Sequence, residues 1–104
     1  MRLLELVVQE YLSIISVLED CETIENDRII IEREHFKALL EKYAYMKFKD
    51  KCKIYKNLNL IEHDKNNYTL PCKDKQSKKT VRKVVFNYNA YLTLKHLYEK
   101  EINL

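Results

Sequence analysis

Glycine is absent from the 104 residues of the sequence. Gly-rich phosphate loops and dinucleotide-binding fingerprints depend on backbone conformations that glycine adopts most readily, so nucleotide-dependent enzymes of those types are excluded. Turns that need a left-handed residue must use asparagine instead, because its short polar side chain tolerates that conformation. Asparagines fall between the periodic segments at positions 26, 57, 59, 66, 67, 87 and 89.

Long uncharged apolar runs are also missing. The most apolar stretch covers residues 1–18, but charged side chains interrupt it well short of the ~20 uncharged residues that a membrane span needs. Acidic residues within the stretch, with no small-residue cleavage site after it, fit a signal peptide badly. We therefore expect a cytoplasmic protein with no membrane partner.

Cysteine is scarce and forms no close-spaced motif, since Cys21, Cys52 and Cys72 lie far apart in the chain. Their odd number predicts reduced, mostly buried thiols, and a disulfide between two of them is the alternative. A zinc site of Cys52, His63 and Cys72 would need irregular spacing and a fourth ligand. We therefore expect no metal and no cofactor.

Arginine is too scattered to support phosphoryl-transfer chemistry. Eight tyrosines raise the question of a nucleophile for DNA strand transfer, but that reaction needs arginines or a metal to stabilise the developing phosphate charge. The four arginines stand alone at positions 2, 28, 33 and 82, and most tyrosines fall on predicted core stripes. No paired acid and base are visible. We predict no catalytic residues and a protein that is not an enzyme.

Charge is divided unevenly along the chain. Residues 1–32 hold eight acids and two bases, a net charge of −6, whereas residues 33–104 hold eight acids and seventeen bases, a net charge of +9. A local basic surface concentrates polyanions near it. The second part of the chain is therefore the place to look for a nucleic-acid interface.

Hydrophobic periodicity predicts a mixture of helices and strands in one domain. We expect helices over residues 2–20, 33–43, 47–58 and 89–101, and strands over residues 28–31, 68–73 and 81–86. The second helix carries a core stripe of Phe36, Leu39, Leu40 and Tyr43. The first helix has an unusually wide apolar face, which predicts that it contributes to a homodimer; a central core helix in a monomer is the alternative.

The third predicted helix separates apolar from basic residues. Its buried face is expected to consist of Phe48, Cys52, Tyr55 and Leu58. Its opposite face carries Lys49, Lys53, Lys56 and Asn57. Lys47 and Lys51 flank the buried face. A short turn at residues 44–46 separates this helix from the second one, which is a helix-turn-helix spacing.

The last two strands predict a β-hairpin with a charged tip. Pro71 limits the first of them to an edge position, and residues 74–80 are polar throughout. Against the single acid Asp74, residues 73–83 carry the cations Lys73, Lys75, Lys78, Lys79, Arg82 and Lys83. The order strand, helix, turn, helix, hairpin is the connectivity of a winged helix-turn-helix, in which the hairpin is the wing.

The residues of this core also resemble a known family. The segments Arg28–Tyr43 (RIIIEREHFKALLEKY), Phe48–Glu62 (FKDKCKIYKNLNLIE) and Tyr68–Leu70 (YTL) are similar to winged helix-turn-helix DNA-binding proteins encoded by phages and plasmids of low-GC Gram-positive bacteria. The resemblance covers about residues 28–86, and its motifs are mainly hydrophobic pattern. In size and flanking helices the chain looks like the TcpK-like conjugation accessory proteins of clostridial plasmids.

This resemblance implies an α+β fold and a DNA-binding role. The expected organisation is a single winged-helix domain over residues 1–104, with an N-terminal helix (1–20) that contributes the dimer contact, a winged-helix core (28–86) and a C-terminal helix (87–104). The implied function is an accessory protein that binds double-stranded DNA at a plasmid origin of transfer. Conjugation would also imply contacts with other DNA-processing proteins.

The candidate DNA-binding residues follow from the two basic elements. Lysines supply affinity through phosphates, while Asn57, Gln76, Ser77, Thr80 and Arg82 are the side chains that could discriminate bases. The full set is Lys47, Lys49, Lys53, Lys56, Asn57, Lys73, Lys75, Gln76, Ser77, Lys78, Lys79, Thr80, Arg82 and Lys83. About six phosphate contacts would give a log-log salt slope near −5. The denser charge favours the wing over the helix.

Two other functions remain open. A regulator of transcription or replication in a mobile element would carry the same residues. A winged-helix module that docks on a protein, such as a phage-type inhibitor of a nucleic-acid enzyme, would show similar charges, but its binding would be insensitive to salt.

Overall fold

The computed structural model describes residues 2–74 and 76–102. Its helices are α1 (Arg2–Cys21), α2 (Arg33–Glu41), α3 (Phe48–Asn57) and α4 (Tyr88–Ile102). Its strands are β1 (Arg28–Ile31), β2 (Ile61–Glu62), β3 (Leu70–Lys73) and β4 (Thr80–Asn87). The α+β class is confirmed, and each predicted element begins and ends within two residues of its observed bounds. The sequence analysis did not foresee β2.

The sheet is antiparallel and built around the long strand β4. The C-terminal half of β4 pairs with β1 on one side and β2 on the other, so that Phe86 is opposite both Ile29 and Ile61. The N-terminal half of β4 pairs with β3, with Leu70 opposite Lys83. β2 and β3 thus pair with successive parts of the same strand, β4, and residues 63–69 form the loop between them.

Aromatic side chains join the helices to the sheet. Phe36 of α2 lies 5.6–5.9 Å, between ring centroids, from Phe48, Tyr55, Tyr68 and Phe86. These separations and the mostly edge-to-face angles are those that aromatic pairs prefer. Because the five rings come from α2, α3, the 63–69 loop and β4, this cluster fixes the position of α3 against the sheet.

The two terminal helices run antiparallel to each other. Glu19 near the end of α1 accepts hydrogen bonds from Tyr88 (2.8 Å) and Tyr91 (3.1 Å) near the start of α4, whereas Gln9 contacts Tyr98. The buried face of α1 consists of Val7, Glu10, Tyr11, Ile14, Ile15 and Leu18. No helix among the described residues is long and apolar enough to span a membrane.

Burial in the core accounts for most of the wide apolar face of α1, but not all of it. Leu3, Leu4, Leu6 and Val17 remain exposed, by 37–57%. The predicted homodimer would have to use these side chains, and it stays a prediction.

Asparagine and aspartate take the left-handed positions in two tight turns. Asn26 (φ 52°) and Asp27 (φ 60°) form a two-residue turn between Glu25 and Arg28, whose backbones hydrogen-bond to each other in both directions. Asn59 (φ 56°) is the left-handed residue that follows the C-cap of α3. The amide N–H groups next to this end donate to carbonyls of the last helical turn, as in a Schellman motif. The expectation of asparagine at such positions is confirmed for Asn26 and Asn59, but it was wrong for the hairpin tip, where Lys78 has the left-handed backbone (φ 58°).

Two side chains predicted on core stripes are exposed. Tyr43 is 40% exposed because α2 ends at Glu41, before the stripe reaches it. Leu58 is 42% exposed because α3 ends at Asn57 and the chain turns away. Both predictions were wrong for the same reason, since helical periodicity was extended past the end of the helix.

Candidate nucleic-acid interface

A buried ion pair fixes the orientation of α3. The Lys51 ammonium donates to Oε2 of Glu10 on α1 at 2.7 Å and to the Leu40 carbonyl at 2.7 Å, and it also contacts the Tyr43 carbonyl. Oε1 of Glu10 accepts hydrogen bonds from the hydroxyl groups of Tyr45 (2.9 Å) and Tyr55 (2.8 Å). Lys51 is 1% exposed, so this lysine cannot reach a ligand.

Lys51 therefore ties three parts of the chain together: α1, the end of α2 and α3. Burying a charge is costly unless it is paired and hydrogen-bonded, and here all three ammonium protons have an acceptor. Its contact with the Tyr43 carbonyl and its position over the Tyr45 ring, 4.3 Å from the centroid, also order the turn between α2 and α3. The opposite face of α3 is thereby held outward.

That outward face carries the lysines predicted for DNA contact. Lys49, Lys53 and Asn57 are exposed, and Lys47 is exposed at the residue that precedes the helix. Lys56 is half-buried, and its ammonium donates to the Lys65 carbonyl at 2.6 Å. Three of these four lysines are thus free to meet phosphates, whereas Lys56 is engaged with the 63–69 loop.

The tip of the β3–β4 hairpin is closed by Asp74. The backbone N–H of Asp74 donates to the Lys79 carbonyl (2.8 Å), and that of Lys78 donates to the Asp74 carbonyl (2.9 Å). The Ser77 hydroxyl donates to the Asp74 carboxylate at 2.8 Å, and this bond holds the pKa of Asp74 below its usual range. Ser77, predicted as a base reader, therefore also has a structural role.

The candidate residues of the hairpin differ in accessibility. Those that are exposed are Lys73, Gln76, Ser77, Lys78, Lys79 and Thr80. Lys78 has a left-handed backbone (φ 58°) that places it at the turn of the tip. Lys75 lies outside the described residues. Lys83 is half-buried at the base, where it borders a concavity of about 490 Å³ together with Glu22, Glu25 and Glu32. Lys73 borders the same concavity, so the nearby carboxylates reduce what both Lys73 and Lys83 can contribute to an anion site.

Arg82 holds the 63–69 loop against the hairpin. Its Nε donates to the Thr69 hydroxyl at 2.9 Å, and its Nη2 donates to the Thr69 carbonyl at 2.7 Å. The same Nη2 forms an ion pair with Asp64. Thr69 is 3% exposed, so this end of the loop is firmly packed. Arg82 was predicted to contact bases, but its guanidinium instead binds Thr69 and Asp64 of the same chain.

The loop is also the element that connects the two basic regions. The concavity formed by Lys49, Lys53 and Lys56 contains no residue of the hairpin. Contacts run instead from Lys56 to the Lys65 carbonyl in the loop, and from Asp64 and Thr69 to Arg82 in the hairpin. The helix and the hairpin are therefore linked by polar contacts through a segment that the sequence analysis treated as a polar turn.

Tyr68 packs the C-terminal part of this loop against α2 and α3. Its ring stacks on Phe36 at 5.9 Å and meets Phe48 edge-to-face at 6.0 Å. Burial raises the pKa of Tyr68 above its usual range. A tyrosine after two asparagines is typical of the start of a strand, and no sequence signal predicts its contacts with Phe36 of α2 and Phe48 of α3.

The cysteines are free thiols in three different settings. Cys21 is exposed, Cys72 is half-buried and Cys52 is buried. Burial raises the pKa of the Cys52 thiol to about 12, so at neutral pH it is protonated and poorly suited to bind a metal or act as a nucleophile. Within residues 2–74 and 76–102, no three His, Cys, Asp or Glu side chains cluster in a way that could hold a metal ion.

Comparison with known proteins adds no family to this description. The sequence matches none of the protein-family models and none of the curated proteins with which it was compared.

Proposed function

We propose that the protein is a winged helix-turn-helix that binds double-stranded DNA through α3 and the β3–β4 hairpin. The order β1, α2, α3, hairpin and the central position of β4 between β1 and β2 support the winged-helix assignment. The observation that carries the DNA-binding proposal is the set of exposed lysines on two elements joined by one loop. These are Lys47, Lys49, Lys53, Lys73, Lys78 and Lys79.

The proposal assigns different tasks to the two elements. Lysines neutralise phosphates and supply most of the affinity of such a protein, but they carry little sequence information. Asn57 on α3 and Gln76 and Thr80 near the hairpin tip are exposed polar side chains, and the proposal assigns the contacts with base edges to them. The six exposed lysines match the number from which a salt slope near −5 is expected.

Within this function, we propose an accessory role at a plasmid origin of transfer. Its support is the resemblance of residues 28–86 to DNA-binding proteins of Gram-positive mobile elements. Control of transcription or replication in a mobile element is the alternative. Footprinting on the DNA beside the gene separates the two, since protection would fall within a transfer origin in one case and within a promoter or replication origin in the other.

Fluorescence anisotropy tests the DNA-binding proposal directly. The purified protein is titrated into a labelled duplex taken from beside its own gene, and into a scrambled duplex, at several salt concentrations. We expect tighter binding to the native duplex and a log-log salt slope near −5. No binding of either duplex at micromolar protein and low salt would refute the proposal.

A pair of matched variants tests the hairpin. Lys78→Ala/Lys79→Ala removes two exposed cations from the tip, and alanine has the same left-handed cost as lysine at position 78. We expect about tenfold weaker binding and a salt slope shallower by about 1.8. Lys95→Ala/Lys100→Ala on α4 changes the net charge equally and should leave both quantities unchanged. Equal effects of the two variants would mean that only net charge matters.

A further inference from the structure

The strongest unassigned feature is the tip of the 63–69 loop beside α3. Lys65, Asn66 and Asn67 are exposed there. Asn66 and Asn67 line a concave surface of about 310 Å³ together with Lys49, Lys53 and Lys56 of α3. Phe48, Cys52 and Tyr68 complete the lining of this surface. Two amide side chains thus lie next to Lys49 and Lys53 and next to Lys56, whose ammonium is bound to the Lys65 carbonyl.

The loop is held rigid from three directions. Arg82 binds its C-terminal end through Thr69 and its N-terminal end through Asp64. Tyr68, next to Thr69 near the C-terminal end, stacks on Phe36. The Lys56 ammonium holds its tip through the Lys65 carbonyl at 2.6 Å. A polar group supported in this way loses little conformational entropy when it binds a ligand.

From this geometry we infer that Asn66 and Asn67 form a base-reading element that recognises adenine in the major groove beside α3. An asparagine amide can donate to N7 of adenine and accept from its N6 amino group, which is the pairing that distinguishes adenine from guanine. The neighbouring lysines hold the phosphates on either side, and thereby bring the base edges to the amides. This inference rests on the proposed function, and it adds a third DNA-contacting element to α3 and the hairpin.

Selection from randomised duplexes, followed by anisotropy, tests the inference. The wild-type protein should select a site with one or two adenines that Asn66→Ala/Asn67→Ala no longer prefers. Replacing such an adenine by guanine should weaken wild-type binding about tenfold and binding of the double variant less than about threefold. Affinity for an unselected duplex should change less than about twofold, because neither side chain is charged.

Two controls separate reading from other effects. Asn89→Ala, at an exposed asparagine in the first turn of α4, should keep the wild-type discrimination. Lys49→Ala should weaken binding to all duplexes by the same factor and leave their ranking unchanged. Circular dichroism should show that all variants keep the wild-type fold.

The outcomes distinguish this inference from the proposed function. If the wild-type protein binds DNA but the asparagine variant keeps every base preference, the loop does not read bases, whereas DNA binding stands. If the wild-type protein binds DNA without preference for any sequence, the inference is equally wrong. If it binds no DNA, the proposed function fails and this inference fails with it.

Discussion

Replacing Lys51 with methionine should remove a large part of the stability of the protein. The Glu10 carboxylate would stay buried without its cation, and the Leu40 and Tyr43 carbonyls would lose a donor. Breaking one side of a buried ion pair costs about 3–5 kcal/mol. The Leu40 carbonyl still accepts from the Tyr43 N–H at 3.3 Å, so the unpaired carboxylate is the main cost. Because domains of this size are stable by only about 5–15 kcal/mol, we expect a loss of about 4 kcal/mol or more.

Urea denaturation followed by circular dichroism measures this loss. At a typical m value for a small protein, the midpoint should fall by roughly 2 M. Lys53→Met, at an exposed lysine of the same helix, is the control and should change the free energy of unfolding by less than about 0.5 kcal/mol.

The double variant Glu10→Leu/Lys51→Met decides whether the pair acts as a unit. It removes both charges, leaves the Tyr45 and Tyr55 hydroxyls without their acceptor, and takes the lysine donor from the Leu40 and Tyr43 carbonyls. Its loss of stability should therefore be smaller than the sum of the two single losses by at least about 2 kcal/mol. If the double variant folds and the single variants do not, this result would also show that the two residues act as a unit. Simple additivity, or a loss below about 1 kcal/mol for Lys51→Met, would refute the reasoning.

Three further predictions concern the fold. Asn59→Ala should lower the free energy of unfolding by about 1 kcal/mol, because alanine disfavours the left-handed backbone (φ 56°) at the end of α3, whereas Asn59→Gly should stay near wild type in the same urea titration. Stability should fall as pH rises above about 8.5, because burial raises the pKa of the Cys52 thiol, and more steeply above about pH 10, because burial also raises the pKa of Tyr11 and Tyr55 and the folded state binds all these protons more tightly; urea titrations from pH 8 to 11 would show it, and unchanged stability at pH 11 would contradict it. The Cys52 thiol, whose pKa burial raises to about 12, should react with a thiol reagent at pH 8 only on unfolding, whereas Cys21 reacts in the native state; modification of both at one rate would show that Cys52 is accessible.

Local patterns were enough to predict most elements of this fold. Period-3.6 apolar residues marked the four helices, and the β-branched run Ile29–Ile31 marked β1. These signals depend on neighbours within one turn or one strand, so they can be read without knowing the tertiary structure. The same dependence explains the errors at Tyr43 and Leu58, because periodicity alone does not show where a helix ends.

The buried ion pair could not be predicted in this way. Lys51 is one of several lysines on a basic helix, and its acceptor Glu10 is 41 residues away on α1. Helical spacing places Lys51 beside the buried face, apart from Lys49 and Lys53, but nothing in its local sequence shows that it is buried or identifies its acceptor. Its burial follows from the packing of α1 against α3, which only the tertiary structure shows.

The sequence predicted which exposed lysines belong to the candidate interface, but not the contacts that join its parts. Exposed Lys78 and Lys79 follow from a polar hairpin tip, and exposed Lys49 and Lys53 follow from helical spacing. The two-residue strand β2 is too short to have a sequence signal. The 63–69 loop therefore appeared as a simple turn, and the engagement of Arg82 with it was not foreseen.

The contacts from Lys56 through the loop to Arg82 also bear on how this protein can change over evolutionary time. A substitution in the hairpin that moves Arg82 would also move Thr69 and Asp64. The hydrogen bond between the Lys65 carbonyl and the Lys56 ammonium would pass this movement on to α3. Residues in one hydrogen-bonded network do not act additively. If the protein binds DNA as proposed, a new target sequence would therefore be reached most easily by exchanging exposed side chains at the loop and hairpin tips, while the polar contacts beneath them stay fixed.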